Sequence, residues 1–191
     1  MNDASDDVEN WGEDPGWRLD WRVLIVIMPG GLQWQARHTR AGDSLTMVRN
    51  LFVSFASSVV LFGVVLAFIS VPQRGPAWAW VLPLLAIAAV ALGVANALER
   101  PLDCSSDTTL AGSYRTRYFL RMAFTELVAL AAFVMYFLDG PRWIYYLGAV
   151  ISLARMISQA PTAAALVRDQ DALVMQGCSR SLVAALRHPQ G

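Results

Sequence analysis

Four long apolar stretches, separated by polar or turn-forming residues, dominate the 191-residue chain. They cover roughly residues 48–71, 77–98, 118–138 and 143–158. A helix of about twenty apolar residues is long enough to cross a bilayer, so the pattern predicts four membrane spans. The fold expected is an all-α membrane protein: a four-helix transmembrane bundle with a cytoplasmic N-terminal tail and an amphipathic C-terminal helix. The chain divides accordingly into an N-terminal segment (1–42), a membrane domain (43–160) and a tail (161–191).

The punctuation between the stretches supports this division. Asp43 and Ser44 offer an N-cap for the first span, and Pro72 closes it. A short link rich in proline and glycine (72–76) leads to the second span, where Pro83 is expected to bend the helix without breaking it. Residues 99–117 read as a polar loop, and Asp139-Gly140-Pro141-Arg142 reads as a tight turn folding the fourth span back on the third. Upstream, residues 1–20 are acidic and turn-rich, as in a disordered tail. The apolar run at 21–28 is too short to span, and Trp34, Arg37, His38 and Arg40 suit an anionic membrane surface. Downstream of Pro161, Leu166, Val167, Leu173 and Val174 are expected on one helical face, with Arg168, Asp169 and Asp171 opposite. Gly177 is a natural stop, and Ser179 or Ser181 can cap a last short turn.

Small residues recur inside the spans. Ser54, Ser57, Ser58 and Gly63 lie in the first, Ala89, Gly93 and Ala97 fall at every fourth position of the second, and Gly148 and Ser152 form a further pair in the fourth. Such rows let helices approach closely and are read as packing positions.

Composition and charge add the setting. The chain is 55% hydrophobic and 16% charged, with no net charge, so no overall field points to nucleic acid. Arginines gather before the first span, in the middle loop and after the fourth span, whereas the two short links carry only Arg74 and Arg142. The positive-inside rule then places both termini in the cytoplasm of a multi-pass cell-membrane protein, as an even number of spans allows. Cys104 and Cys178 would both be cytoplasmic and reduced. The acidic N-terminus lacks the basic start of a cleavable signal peptide. The absence of lysine excludes Schiff-base chemistry.

Candidate chemistry is sparse. Glu126 is the one acidic residue deep inside an apolar run. It lies about twelve residues before the turn and Arg155 about thirteen after it, so in a helical hairpin both stand roughly 18–20 Å from the turn. The two are expected to pair within the membrane, and removing one partner from such a pair costs about 3–5 kcal/mol. Two alternatives stay open: a protonated Glu126 with Arg155 snorkelled to the interface, or a reversible proton or cation site at Glu126. Nothing has metal-ligand spacing, a nucleophilic triad or a phosphate-cradling glycine loop, so no metal or cofactor is expected.

Residues 123–138 (AFTELVALAAFVMYFL) resemble the carboxylate-bearing helix of the rotor-ring c subunits of rotary ATP synthases, and Glu99-Arg100-Pro101-Leu102-Asp103 is similar to the polar loop before that helix. The resemblance covers 99–138 and implies that Glu126 binds a proton. The first and fourth spans lie outside it, and the stretch before the loop lacks the glycine repeat of a ring-forming helix. The expected function is a non-catalytic subunit or assembly partner in a membrane complex, with the bilayer and other membrane subunits, or further copies of the chain, as partners. Proton or cation translocation through Glu126 is the alternative, and a membrane enzyme with a site that no motif reveals is the second.

Overall fold

The computed structural model describes residues 44–70, 76–97 and 101–187. The expectations for 1–43, including the Asp43 cap, for 71–75, for 98–100 and for His188 lie outside the described residues. Every regular element among the described residues is helical. They are α1 (Ser44–Phe68), a 3-10 turn (Ala77–Trp80), α2 (Val81–Ala97), α3 (Asp107–Phe137), α4 (Arg142–Ser158), α5 (Ala163–Met175) and α6 (Leu182–Arg187). Three helical segments are long and apolar enough to cross a membrane: Ser44–Phe68, Trp78–Ala97 and Asp107–Phe137. The shorter α4 passes the same test only together with α5, from which it is bent by 64°.

Helix α3 is the axis of the molecule, packing against α1, α2, α4 and α6. Its inner face carries Tyr118, Met122, Thr125, Val128, Ala129 and Ala132, all buried. This helix begins eleven residues before the expected span, within the stretch read as a loop. Ser106 explains the early start: its side chain accepts from the Thr109 backbone N–H at 3.2 Å, and Thr109 Oγ1 accepts from the Ser106 N–H at 2.9 Å. This reciprocal pair satisfies two donors that a helix N-terminus otherwise leaves open. Leu110, Ala111 and Tyr114 are then buried on one face although their neighbours are polar.

The α3–α4 hairpin forms as expected, but the roles within its turn are shared differently. Asp139 takes the left-handed conformation (φ 71°). Gly140 is required by a close approach, since a Cβ there would lie 2.5 Å from the Met135 carbonyl oxygen. At the same end, Tyr136 Oη and Arg142 donate to the carbonyl of Ile69 at 2.7 and 2.9 Å, tying the chain just beyond α1 to the hairpin. The span containing Pro83 is unbroken, as expected, from Trp78 to Ala97. Pro83 sits near the start of the span, two residues after the 3-10 turn passes into the α-helix.

The tail departs from the expected face pattern. Leu166, Gln170 and Leu173 are buried, whereas Val167 and Val174 are about half exposed. Gln170 explains the rotation: its amide donates to the Arg180 carbonyl at 3.0 Å and accepts from the Leu182 N–H at 2.6 Å, so it serves as the inward-facing link between α5 and α6. Gly177 ends this stretch with φ 83°, and Ser181 Oγ accepts from the Ala184 N–H at 3.3 Å at the start of α6. Leu182, Ala185 and Leu186 seat α6 against α3 and α1.

Candidate functional site

Glu126 lies on α3, half-buried, facing α1. Its partner is Ser58, whose hydroxyl lies within hydrogen-bond reach of Glu126 Oε1. The same Ser58 Oγ is 2.7 Å from the Phe55 carbonyl oxygen. Beside them the Tyr145 hydroxyl of α4 donates to the Val59 carbonyl. Ser58, read from sequence as a packing position, is thus also the polar neighbour of the one carboxyl deep in an apolar stretch.

The expected Glu126–Arg155 pair does not form. Arg155 turns to α2, where its Nη2 donates to Asn96 Oδ1 at 2.9 Å. Glu126 and Arg155 turn to different neighbours, one to Ser58 of α1 and the other to Asn96 of α2. Asn96 went unnoticed in the sequence because an asparagine at the end of an apolar run resembles the start of a loop.

The two small-residue rows have opposite fates. Gly148 and Ser152 face α3 and are buried. A Cβ on Gly148 would lie 2.5 Å from Ala132 Cβ and 3.2 Å from the Val128 carbonyl oxygen. Ser152 Oγ donates to the Thr125 carbonyl at 2.9 Å, stitching α4 to α3 one turn further on. On α2 the buried positions are Leu84, Ala88, Ala91 and Ala95, while Ala89, Gly93 and Ala97 are exposed. A Cβ on Gly93 would meet nothing within 4 Å. Beside this row an apolar groove of about 280 Å³ runs between α2 and α3, lined by Ala86, Val90, Val94, Phe124 and Leu127 among others.

At the other end of α3, Cys104 and Cys178 are joined in a disulfide, contrary to the expectation of two reduced thiols. Sequence spacing could not show this, since 74 residues separate them and only the fold-back of the tail brings them together. Arg180 reinforces the junction. It donates to the Cys104 carbonyl at 3.1 Å and the Ser105 carbonyl at 3.2 Å, and pairs with Asp107 at 2.7 Å. In the same loop, hydrogen bonds from Ser105 hold the Asp103 carboxyl below its ordinary range.

A cavity of about 230 Å³ with several polar side chains in its lining lies near this end, between α3 and the bend from α4 into α5. Tyr114, Tyr118 and Arg121 line it from one face of α3, and Gln159, Arg168 and Asp169 from the bend and α5. Comparison with protein-family models, curated proteins and solved structures gives no match to this chain.

Proposed function

We propose that the chain is a non-catalytic, multi-pass membrane protein that works by holding another membrane helix, as a subunit or assembly partner of a larger complex. The observation that carries this reading is the outward-facing row Ala89, Gly93 and Ala97, open beside an apolar groove. In lipid the hydrophobic effect does not drive helices together, and close backbone approach over small residues does. The chain's other small row, Gly148 and Ser152, is already used that way against α3. Co-purification from membranes in mild detergent tests the reading. The parent chain is expected to retain a membrane partner or a second copy of itself, and Gly93→Leu to lose it while keeping its melting temperature. A monomeric parent without a partner would refute it.

In this proposal α1 to α4 are the four spans of a cell-membrane protein. The arginine distribution argues for cytoplasmic termini. The Cys104–Cys178 bond argues the other way, because disulfides persist mainly outside the cytoplasm. We retain the arginine assignment because it rests on several loops.

A second reading, a proton site at Glu126, is favoured by the proton count around Ser58. The serine hydroxyl has one hydrogen but two acceptor oxygens beside it, Phe55 O and Glu126 Oε1. A carboxyl carrying a proton completes the set: it donates to Ser58 Oγ, and Ser58 donates to Phe55 O. Labelling of Glu126 by a hydrophobic carbodiimide, blocked in Glu126→Gln, is the expected result. An unreactive parent would remove this reading and leave the first intact.

A further inference from the structure

The cavity at the α4–α5 bend holds polar groups that the bundle leaves unsatisfied. Tyr118 is 5% exposed, and its hydroxyl has no hydrogen-bond partner. Its ring stacks on Tyr114 with centroids 6.4 Å apart, which holds it in place along α3. A buried hydroxyl without a partner is costly, and native folds seldom retain one unless something outside the chain completes it. Across the cavity the side-chain oxygen of Gln159 is also buried and unpartnered. Asp169 already accepts the Tyr114 hydroxyl at 3.1 Å.

The charges around these groups select the ligand. Two arginines, Arg121 and Arg168, line the cavity against one carboxylate, Asp169, which the Tyr114 hydroxyl already engages, so positive charge is in excess. Ala165 also lines it, in the first turn of the 13-residue α5, where the partial positive charge of a helix N-terminus gathers. A phosphate oxygen could accept from Tyr118 Oη while lying among these positive groups, and a hydroxyl on the same ligand could donate to Gln159. The volume, about 230 Å³, falls below that of pockets enclosing whole drug-sized molecules and suits a single polar group entering from the side.

We propose that this cavity binds a phosphate-bearing group, and that in the cell this is the phosphodiester headgroup of a lipid bearing hydroxyls. The sharp bend places the cavity where the fourth apolar helix ends, the level at which headgroups lie if α1 to α4 span the bilayer. The inference therefore rests on the membrane reading of the bundle but not on the protein partner proposed above.

The full-length protein in mild detergent is titrated with phosphatidylglycerol, with inorganic phosphate and with uncharged diacylglycerol, read by native mass spectrometry and melting temperature. Phosphatidylglycerol is expected to be retained and to raise the melting temperature. Tyr118→Phe should weaken it about fivefold and Arg168→Gln about tenfold, the loss of one neutral-donor and one charge-assisted hydrogen bond. Without added lipid, Tyr118→Phe should melt no lower than the parent, because the hydroxyl has no internal partner to lose. A shift with inorganic phosphate that depends on Tyr118 would support the phosphate site and make its ligand a free anion. Equal binding of diacylglycerol, or retention unchanged in both variants, would overturn the proposal, as would a lower melting temperature for lipid-free Tyr118→Phe. Membrane fractionation of the same protein reports separately on the bilayer reading, and co-purification on the partner.

Discussion

Adding one methyl group at Gly148 should separate α4 from α3, whereas the same change at Gly93 should not. In Gly148→Ala the new carbon would sit 2.5 Å from Ala132 Cβ and 3.2 Å from the Val128 carbonyl oxygen. Optimal carbon–carbon separation is about 3.5–4.0 Å. Neither neighbour can rotate away, since one is a Cβ fixed to its helix and the other is backbone. The helices must therefore part by about 1 Å, which also stretches the Ser152–Thr125 hydrogen bond one turn on. Overpacking of this kind costs about 1–3 kcal/mol. Replacing a helical glycine by alanine returns about 0.5–1 kcal/mol. The net expectation is a loss centred on about 1 kcal/mol and reaching about 2.5 kcal/mol for Gly148→Ala. For Gly93→Ala, with nothing within 4 Å of the new carbon, no loss or a slight gain is expected. Thermal or denaturant unfolding of both variants in one mild detergent reads the difference. Gly148→Ala as stable as the parent, or Gly93→Ala as damaging as Gly148→Ala, would refute the assignment of the inner and outer small rows.

Glu126→Gln should leave stability within about 1 kcal/mol of the parent, because its amide can donate to Ser58 as a protonated carboxyl would; a loss of about 3 kcal/mol or more on unfolding would instead mean a broken ion pair. Ser58→Ala, which strips Glu126 of its partner, should cost about 1–3 kcal/mol in the same assay. Replacing Cys104 and Cys178 together by serine opens a loop closed across 74 residues, and an unfolding loss of up to about 4 kcal/mol is expected, less if the helices persist in the unfolded chain. Faster proteolysis after residue 160 in that double variant would show that the bond holds the tail on the bundle, and an unchanged cleavage pattern would show that Gln170 and Arg180 suffice.

What could be read from the sequence follows from which quantities are local. Apolar runs and turn residues are local, and α1, α2 and α4 fall close to their expected bounds. The first three turns of α3 were missed because average polarity conceals a single buried face, here Leu110, Ala111 and Tyr114 among serines, threonines and arginines. Counting residues from the turn gives only an approximate depth for Glu126 and Arg155 and no direction, since each residue advances a helix by about 100°. Ser58 and Asn96, the partners observed, come from helices outside the hairpin. The Gly148–Ser152 and Ala89–Gly93–Ala97 rows look alike as spacing, and only packing separates the filled row from the open one. The disulfide needed the tail's return path, which no spacing rule encodes.

Cysteine-scanning cross-linking along α2 in native membranes tests the central claim most directly. Single cysteines placed at 89, 93 and 97 are expected to cross-link to a second membrane polypeptide, or to another copy of this chain, while those at 84, 88, 91 and 95 stay unreacted beneath α3. Cross-linking spread evenly around α2, or absent from 89, 93 and 97, would contradict the view that this face receives a partner helix.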